Sequence, residues 1–203
     1  MAFFVLSCAG KLRVGGARRT LPYLLRESVL AVLLLCPGIQ ECLAQAPVYA
    51  AEYRVKAAYV YKFGSYVEWP ERRFARPDSP LAIGVIGADA LAEELVQIVT
   101  GRNVNGHPVE VRKLRPGDPV ANLHVLFIGR ADGGRLGEIL SAARGKGVLT
   151  VTESEDGLEL GSVINFVMVD DKVRFDVAPP PPEDLKISAR LLGVARKVVS
   201  RPS

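Results

Sequence analysis

The 203-residue chain is 49% hydrophobic and 24% charged, a globular balance that excludes a disordered or collagen-like chain. It carries 26 Lys+Arg against 22 Asp+Glu, but five of the basic residues (Lys11, Arg13, Arg18, Arg19, Arg26) and two of the acidic ones (Glu27, Glu41) fall within residues 1–50. Residues 51–203 are therefore close to neutral, which weakens a nucleic-acid reading, since that would want a basic footprint on the folded domain; no nucleic-acid partner is expected.

The N-terminal segment reads as a secretory signal. A basic stretch ending in Arg18-Arg19 and Arg26 precedes the uncharged run Val29-Leu30-Ala31-Val32-Leu33-Leu34-Leu35, the order of a charged and then an apolar leader region. The run is shorter than the roughly 20 apolar residues of a membrane-spanning helix. Small residues at −3 and −1 mark two cleavage sites, after Ala44-Gln45-Ala46 and after Val48-Tyr49-Ala50. Pro47 disfavours the first, so residues 1–50 are expected to be removed and residues 51–203 to form the domain. Neither a twin-arginine signal nor a lipidated cysteine fits the spacing. Cys8, Cys36 and Cys42, the only cysteines, all lie in the removed segment, so the exported product would have no disulfide and no thiolate.

Within the domain, Val55, Tyr59, Phe63, Tyr66 and Val67 recur at helical spacing, which predicts an amphipathic helix over 52–68 that Pro70 ends. Leu81 to Ile86 is a near-continuous apolar run, the mark of a strand covered on both faces. Gly87 and Asp89 then open a helix to about Val99, with Asp89 as its N-cap. Val109 to Leu114 alternates and reads as a strand with one wet face. Leu123 to Ile128, which includes His124, reads as a second buried strand. Arg135 to Ala143 predicts a helix and Gly147 to Val151 a strand. Val163 to Val169 and Lys172 to Val177 flank Asp170-Asp171 as a β-hairpin. Pro179 to Pro182 reads as an extended connector, and Leu185 to Val199 as a closing helix with Ile187, Leu191, Val194 and Val198 on one stripe. The expected fold class is α/β: a single domain with a mostly parallel twisted sheet, flanking helices, and a C-terminal hairpin plus closing helix.

Nothing in the residue pattern assembles a catalyst. Two histidines 17 residues apart (His107, His124) and no cysteine in the domain make a poor metal set. No serine sits in a nucleophile-elbow pattern, and Glu153-Ser154-Glu155-Asp156 reads as a solvated turn. No catalytic residue, metal or cofactor is expected. Gly84-Val85-Ile86-Gly87-Ala88-Asp89 lacks the full glycine fingerprint of a nucleotide site. A small ligand could still use the crevice at the strand ends, with Gly87, Asp89, Gly129 and Arg174 as its candidates. The other candidate surface is the aromatic-rich helix, where Arg54, Lys56, Tyr59, Tyr66, Glu68 and Trp69 could meet a protein partner.

Val55-Lys56-Ala57-Ala58-Tyr59 with Phe63 and Glu68-Trp69-Pro70 resembles the opening of the YfiR-like periplasmic family. The likeness continues through Ile83-Gly84-Val85-Ile86-Gly87, Gly101-Arg102 with Val104 and Gly106, and His124 to Ile128. It resumes at Gly161, Ile164, Phe166 and Val173-Arg174-Phe175, and ends at Leu185-Lys186-Ile187-Ser188 with Leu191-Leu192 and Ala195. The resemblance implies a periplasmic homodimer without catalysis that docks on the periplasmic domain of an inner-membrane diguanylate cyclase and represses it. The chain departs from the family pattern at Leu123, where cysteine is frequent, at Ala178, where asparagine is frequent, and at Pro179 to Pro182.

Overall fold

The computed structural model describes residues 37–179 and 185–200, with side chains from Tyr49 onward. The apolar leader run and the prolines at 180–182 lie outside the described residues. The chain divides into two compact units, Met1–Gln45 and Ala46–Ser203, and the account below concerns the second.

Helix α1 spans Pro37–Ser65. It begins earlier than the apolar spacing predicts and ends before Val67–Glu68, which form a short strand, β1. A 3₁₀ turn follows at Glu71–Arg73. Strand β2 (Leu81–Ile86) leads to α2 (Asp89–Val99), β3 (Asn103–Val104), β4 (His107–Leu114) and β5 (Val125–Ile128). A 3₁₀ segment at Arg130–Arg135 runs into α3 (Leu136–Ala143). Then come β6 (Leu149–Thr152), β7 (Ile164–Val169), β8 (Lys172–Val177), β9 (Lys186–Ile187), α4 (Ala189–Val194) and β10 (Lys197–Val198).

Eight strands form one sheet in the order β10-β8-β7-β6-β5-β2-β4-β3. The sheet is mixed. β7–β8 and β3–β4 are antiparallel, whereas β6, β5, β2 and β4 run parallel to one another. β7 joins β6 in parallel, and β10 joins β8 in parallel. A separate two-stranded ribbon pairs β1 with β9.

Period-two alternation along the central strands divides the core between two faces. Leu81, Ile83 and Val85 point with Val125, Phe127, Leu149 and Val151 toward α1 and α2. Ala82, Ile86, Leu126 and Ile128 point the other way, onto Leu136, Ile139, Leu140 and Ala143 of α3. Under α1, Tyr59 and Phe63 meet Phe166 and Phe175 with ring centroids 5.0–6.0 Å apart, separations typical of offset and edge-to-face aromatic pairs. Gly84 is required by close approach: a Cβ there would lie 2.6 Å from Leu123 and 2.7 Å from Leu114. The hairpin turn has Asp170 at φ 49° and Asp171 at φ 56°, the left-handed pair of a two-residue turn whose twist matches its strands.

Two expectations are corrected. Asp89 is the first helical residue and makes no cap; Ala88 stands at the N-cap position without a side-chain bond. The closing helix shrinks to Ala189–Val194. Of its supposed stripe, Leu191 is buried but Val194 is 65% and Val198 47% exposed. Ile187 and Leu191 pack on the core, and Gly193 weakens helix continuation beyond them. The backbone instead bonds to β8, with Arg196 N–H donating to the Phe175 carbonyl and Val199 N–H to that of Val177.

Candidate functional site

The carboxyl ends of β5 and β6 lie beneath α1, and four charged side chains converge there. Glu52 and Lys56 are one helical turn apart on α1, Arg130 follows β5 by two residues, and Glu153 directly follows β6. The Lys56 ammonium donates to both Glu52 and Glu153. Arg130 Nη2 donates to Glu52 at 3.0 Å, and its backbone N–H to Glu153 Oε1 at 3.1 Å. The Tyr53 hydroxyl stands 3.4 Å from Glu153. The Lys56 side chain is 1% exposed and that of Glu153 0%, so the ion pair is fully dry. Two cations balance two carboxylates, the condition under which buried charge is tolerated. Burial, then the Glu153 and Glu52 charges, raise the Tyr53 phenol above its ordinary range. Burial opposes the charge on Arg130, but the same two carboxylates outweigh it and raise its pKa.

This network corrects two sequence readings. Glu153 is buried rather than part of a solvated turn, and Lys56 is a core ion rather than a contact residue. Arg130 and Glu52 were not foreseen. The helical spacing of Glu52 and Lys56 is visible in the sequence, but the arrival of Glu153 depends on β6 ending under α1.

The remaining surface candidates are scattered. Arg54 is exposed and reaches Glu94 of α2 at 3.4 Å. Tyr59 belongs to the aromatic core. Tyr66 is half-buried, its carbonyl accepting from Ser188 N–H, and Glu68 is exposed opposite Lys186. The indole of Trp69 stands edge-on to His124, centroids 5.6 Å apart.

His124 immediately precedes β5 rather than lying inside it. Its ring stacks on Phe74 at 4.4 Å, and Phe74 stacks on His107 at 3.7 Å. His124 Nδ1 accepts from the Ala82 N–H at 3.1 Å, which places the proton of the neutral ring on Nε2. Burial, then the positive charge of Arg73, lower its pKa from 6.5 to about 4.

At the strand-end crevice read as a ligand site, Gly87 and Gly129 are sites of close backbone approach. A Cβ at Gly129 would lie 2.3 Å from the Gly87 carbonyl, and one at Gly87 would lie 2.7 Å from the Asp132 carboxylate. Asp89 is exposed beside Lys113 at 3.8 Å. Arg174 is on β8, four strands from β2, or about 19 Å at ordinary strand spacing. An open groove of about 1460 Å³ adjoins the charged network: Arg130 and Glu153 line it together with Thr150, Asn165, Asp176 and Arg196. Arg196 grips Asp176 through both Nε and Nη2. Among the described residues no three His, Asp or Glu side chains gather as metal ligands, and no helix is long and apolar enough to cross a membrane.

Residues 53–196 match the YfiR/HmsC-like family, so this chain belongs to that family. No curated protein matches it significantly.

Proposed function

We propose that this member of the YfiR/HmsC-like family is a periplasmic regulator. It binds the periplasmic domain of an inner-membrane signalling protein, a diguanylate cyclase, and represses it as a homodimer without catalysing a reaction. The observation that carries the reading is the family match over residues 53–196, which takes in most of the α/β unit. The chemistry agrees with it: the basic and acidic groups closest to the strand ends are consumed by one another in the Lys56–Glu153 network. Repression requires tighter binding to the inactive state of the cyclase than to the active one.

The contact surface falls on what the core leaves outside, namely Arg54 and the half-exposed Val55 of α1 and Glu68 of β1. Deleting the coding sequence should raise cellular cyclic-di-GMP, and restoring it with Arg54→Glu and Glu68→Lys should not return the level to normal. Unchanged cyclic-di-GMP on deletion would remove the cyclase from the proposal.

One observation favours a second reading, a small-ligand-binding module: the groove beside Asn165 and Asp176. A nucleotide or amino acid seated there at a hundred times its dissociation constant would stabilise the fold by ~2.7 kcal/mol. A thermal-shift screen with no such rise counts against it.

A further inference from the structure

The outer edge of β4 is open. β2 pairs with β4 from Val109 to Leu114 on one side. On the other, β3 covers only His107 and Pro108. Among the described residues no strand flanks Val109 to Leu114 on that side, so backbone donors and acceptors are left for another chain. Charge ordinarily guards such an edge, and Glu110, Arg112 and Lys113 are present. Their order is informative. Glu110 and Arg112 share one face of the strand with Val111 between them, and they bond to each other at 2.8 and 2.9 Å.

We propose that two copies of this chain join edge to edge through β4, antiparallel and centred on Val111, so that Glu110 of each copy faces Arg112 of the other. The proposal supplies the interface of the homodimer in the preceding section and rests on that dimer. A minus–apolar–plus triplet is its own complement when reversed, so this register forms two cross-strand ion pairs. Centring the pair on Glu110 or on Arg112 would set like charges directly opposite, and a parallel arrangement would do so at both positions. The charges that discourage other strands thus select one register with a second copy.

The opposite face of the edge agrees. Lys113 reaches Glu93 at 3.0 Å and Asp89 at 3.8 Å, which turns this stripe of α2 toward the β4 edge. Val96, one turn beyond Glu93, is 50% exposed. A two-fold axis midway between the two Val111 residues and normal to the sheet brings α2 of both copies, with its exposed Val96, to the same face of the joint.

Sedimentation of the purified protein over a range of concentrations tests the interface. The expected result is a dimer whose dissociation constant rises at least about tenfold with Glu110→Arg and likewise with Arg112→Glu. The double exchange Glu110→Arg/Arg112→Glu regenerates a self-complementary triplet and should restore the original value to within about threefold. The Glu110 and Arg112 side chains are half-exposed, and circular dichroism on each variant checks that the fold persists. A protein monomeric at every concentration overturns both the interface and the dimer. A dimer indifferent to both single reversals overturns the β4 interface alone.

Discussion

His124 offers a quantitative test of how the fold manages a buried titratable group. In the native state its pKa is lowered from 6.5 to about 4, because burial disfavours the charged ring and Arg73 repels a second charge; Nδ1 accepts from the Ala82 N–H. Above the unfolded value both states hold a neutral ring and its titration leaves stability unchanged. As pH falls below it, the unfolded chain takes up a proton that the native state refuses, and stability is lost until the native value is reached. An interval of about two and a half pH units, at about 1.4 kcal/mol each, amounts to on the order of 3 kcal/mol. The perturbation is His124→Asn, whose amide oxygen can still accept from Ala82 but does not titrate. Urea unfolding at intervals between pH 7 and pH 4 reads the loss. Trp69, the chain's one tryptophan, reports locally because its ring lies 5.6 Å from that of His124. Lost stacking on Phe74 makes the variant less stable at neutral pH, so the comparison is between slopes. Carboxylates titrate in both proteins and cancel in the difference. Wild type should lose on the order of 3 kcal/mol more than the variant across this window. Parallel curves, differing by less than about 0.5 kcal/mol, would refute the assignment of a neutral, Nε2-protonated ring.

Four further outcomes are expected. Glu153→Gln, which leaves Lys56 buried without its dry counter-ion, should cost about 3–5 kcal/mol in urea unfolding, and adding Lys56→Met should recover part of that loss. Phe63→Ala opens the aromatic cluster under α1 and should cost about 3–5 kcal/mol by the same measurement. Gly129→Ala forces a Cβ onto the Gly87 carbonyl and should lower stability by about 1–3 kcal/mol, seen as a depressed melting temperature. Asp171→Gly relieves a non-glycine residue at φ 56° and should raise the melting temperature slightly, by the equivalent of about 0.5–1 kcal/mol.

The central strands were legible because each announces itself by composition. Leu81 to Ile86 and Val125 to Ile128 are buried at every position, and continuous apolar runs of that length fit a sheet covered on both faces. The Asp170-Asp171 hairpin was equally plain, since alternation on both sides left only two residues for the turn. The ends of the chain's elements were harder. Ile187, Leu191, Val194 and Val198 have helical spacing, yet spacing shows only that a stripe could be buried. Here β8 offers backbone partners to residues 196–199, and strand addition satisfies more of the backbone than another helical turn would. The mixed direction of the sheet has the same origin. Each antiparallel junction depends on a short strand or a hairpin at an edge, and β3 is only two residues long.

The charged network was the least legible feature because sequence-local reasoning assigns a run such as Glu153 to Asp156 to solvent by default. What decides the matter is topology: only the first residue of the run emerges under α1, and the next two are half-buried or exposed. The same placement buries Lys56, while Tyr59 packs into the aromatic cluster, so the proposed partner surface is left with Arg54, Val55 and Glu68. These residues lie on α1 and β1, whereas the self-complementary triplet lies on β4. The proposed docking to a membrane protein and the proposed association with a second copy therefore draw on different residues. Variants at Arg54 and Glu68 should weaken partner binding while sedimenting as wild type does. Glu110→Arg should split the dimer without altering those contacts, which makes the two events separable in one set of proteins.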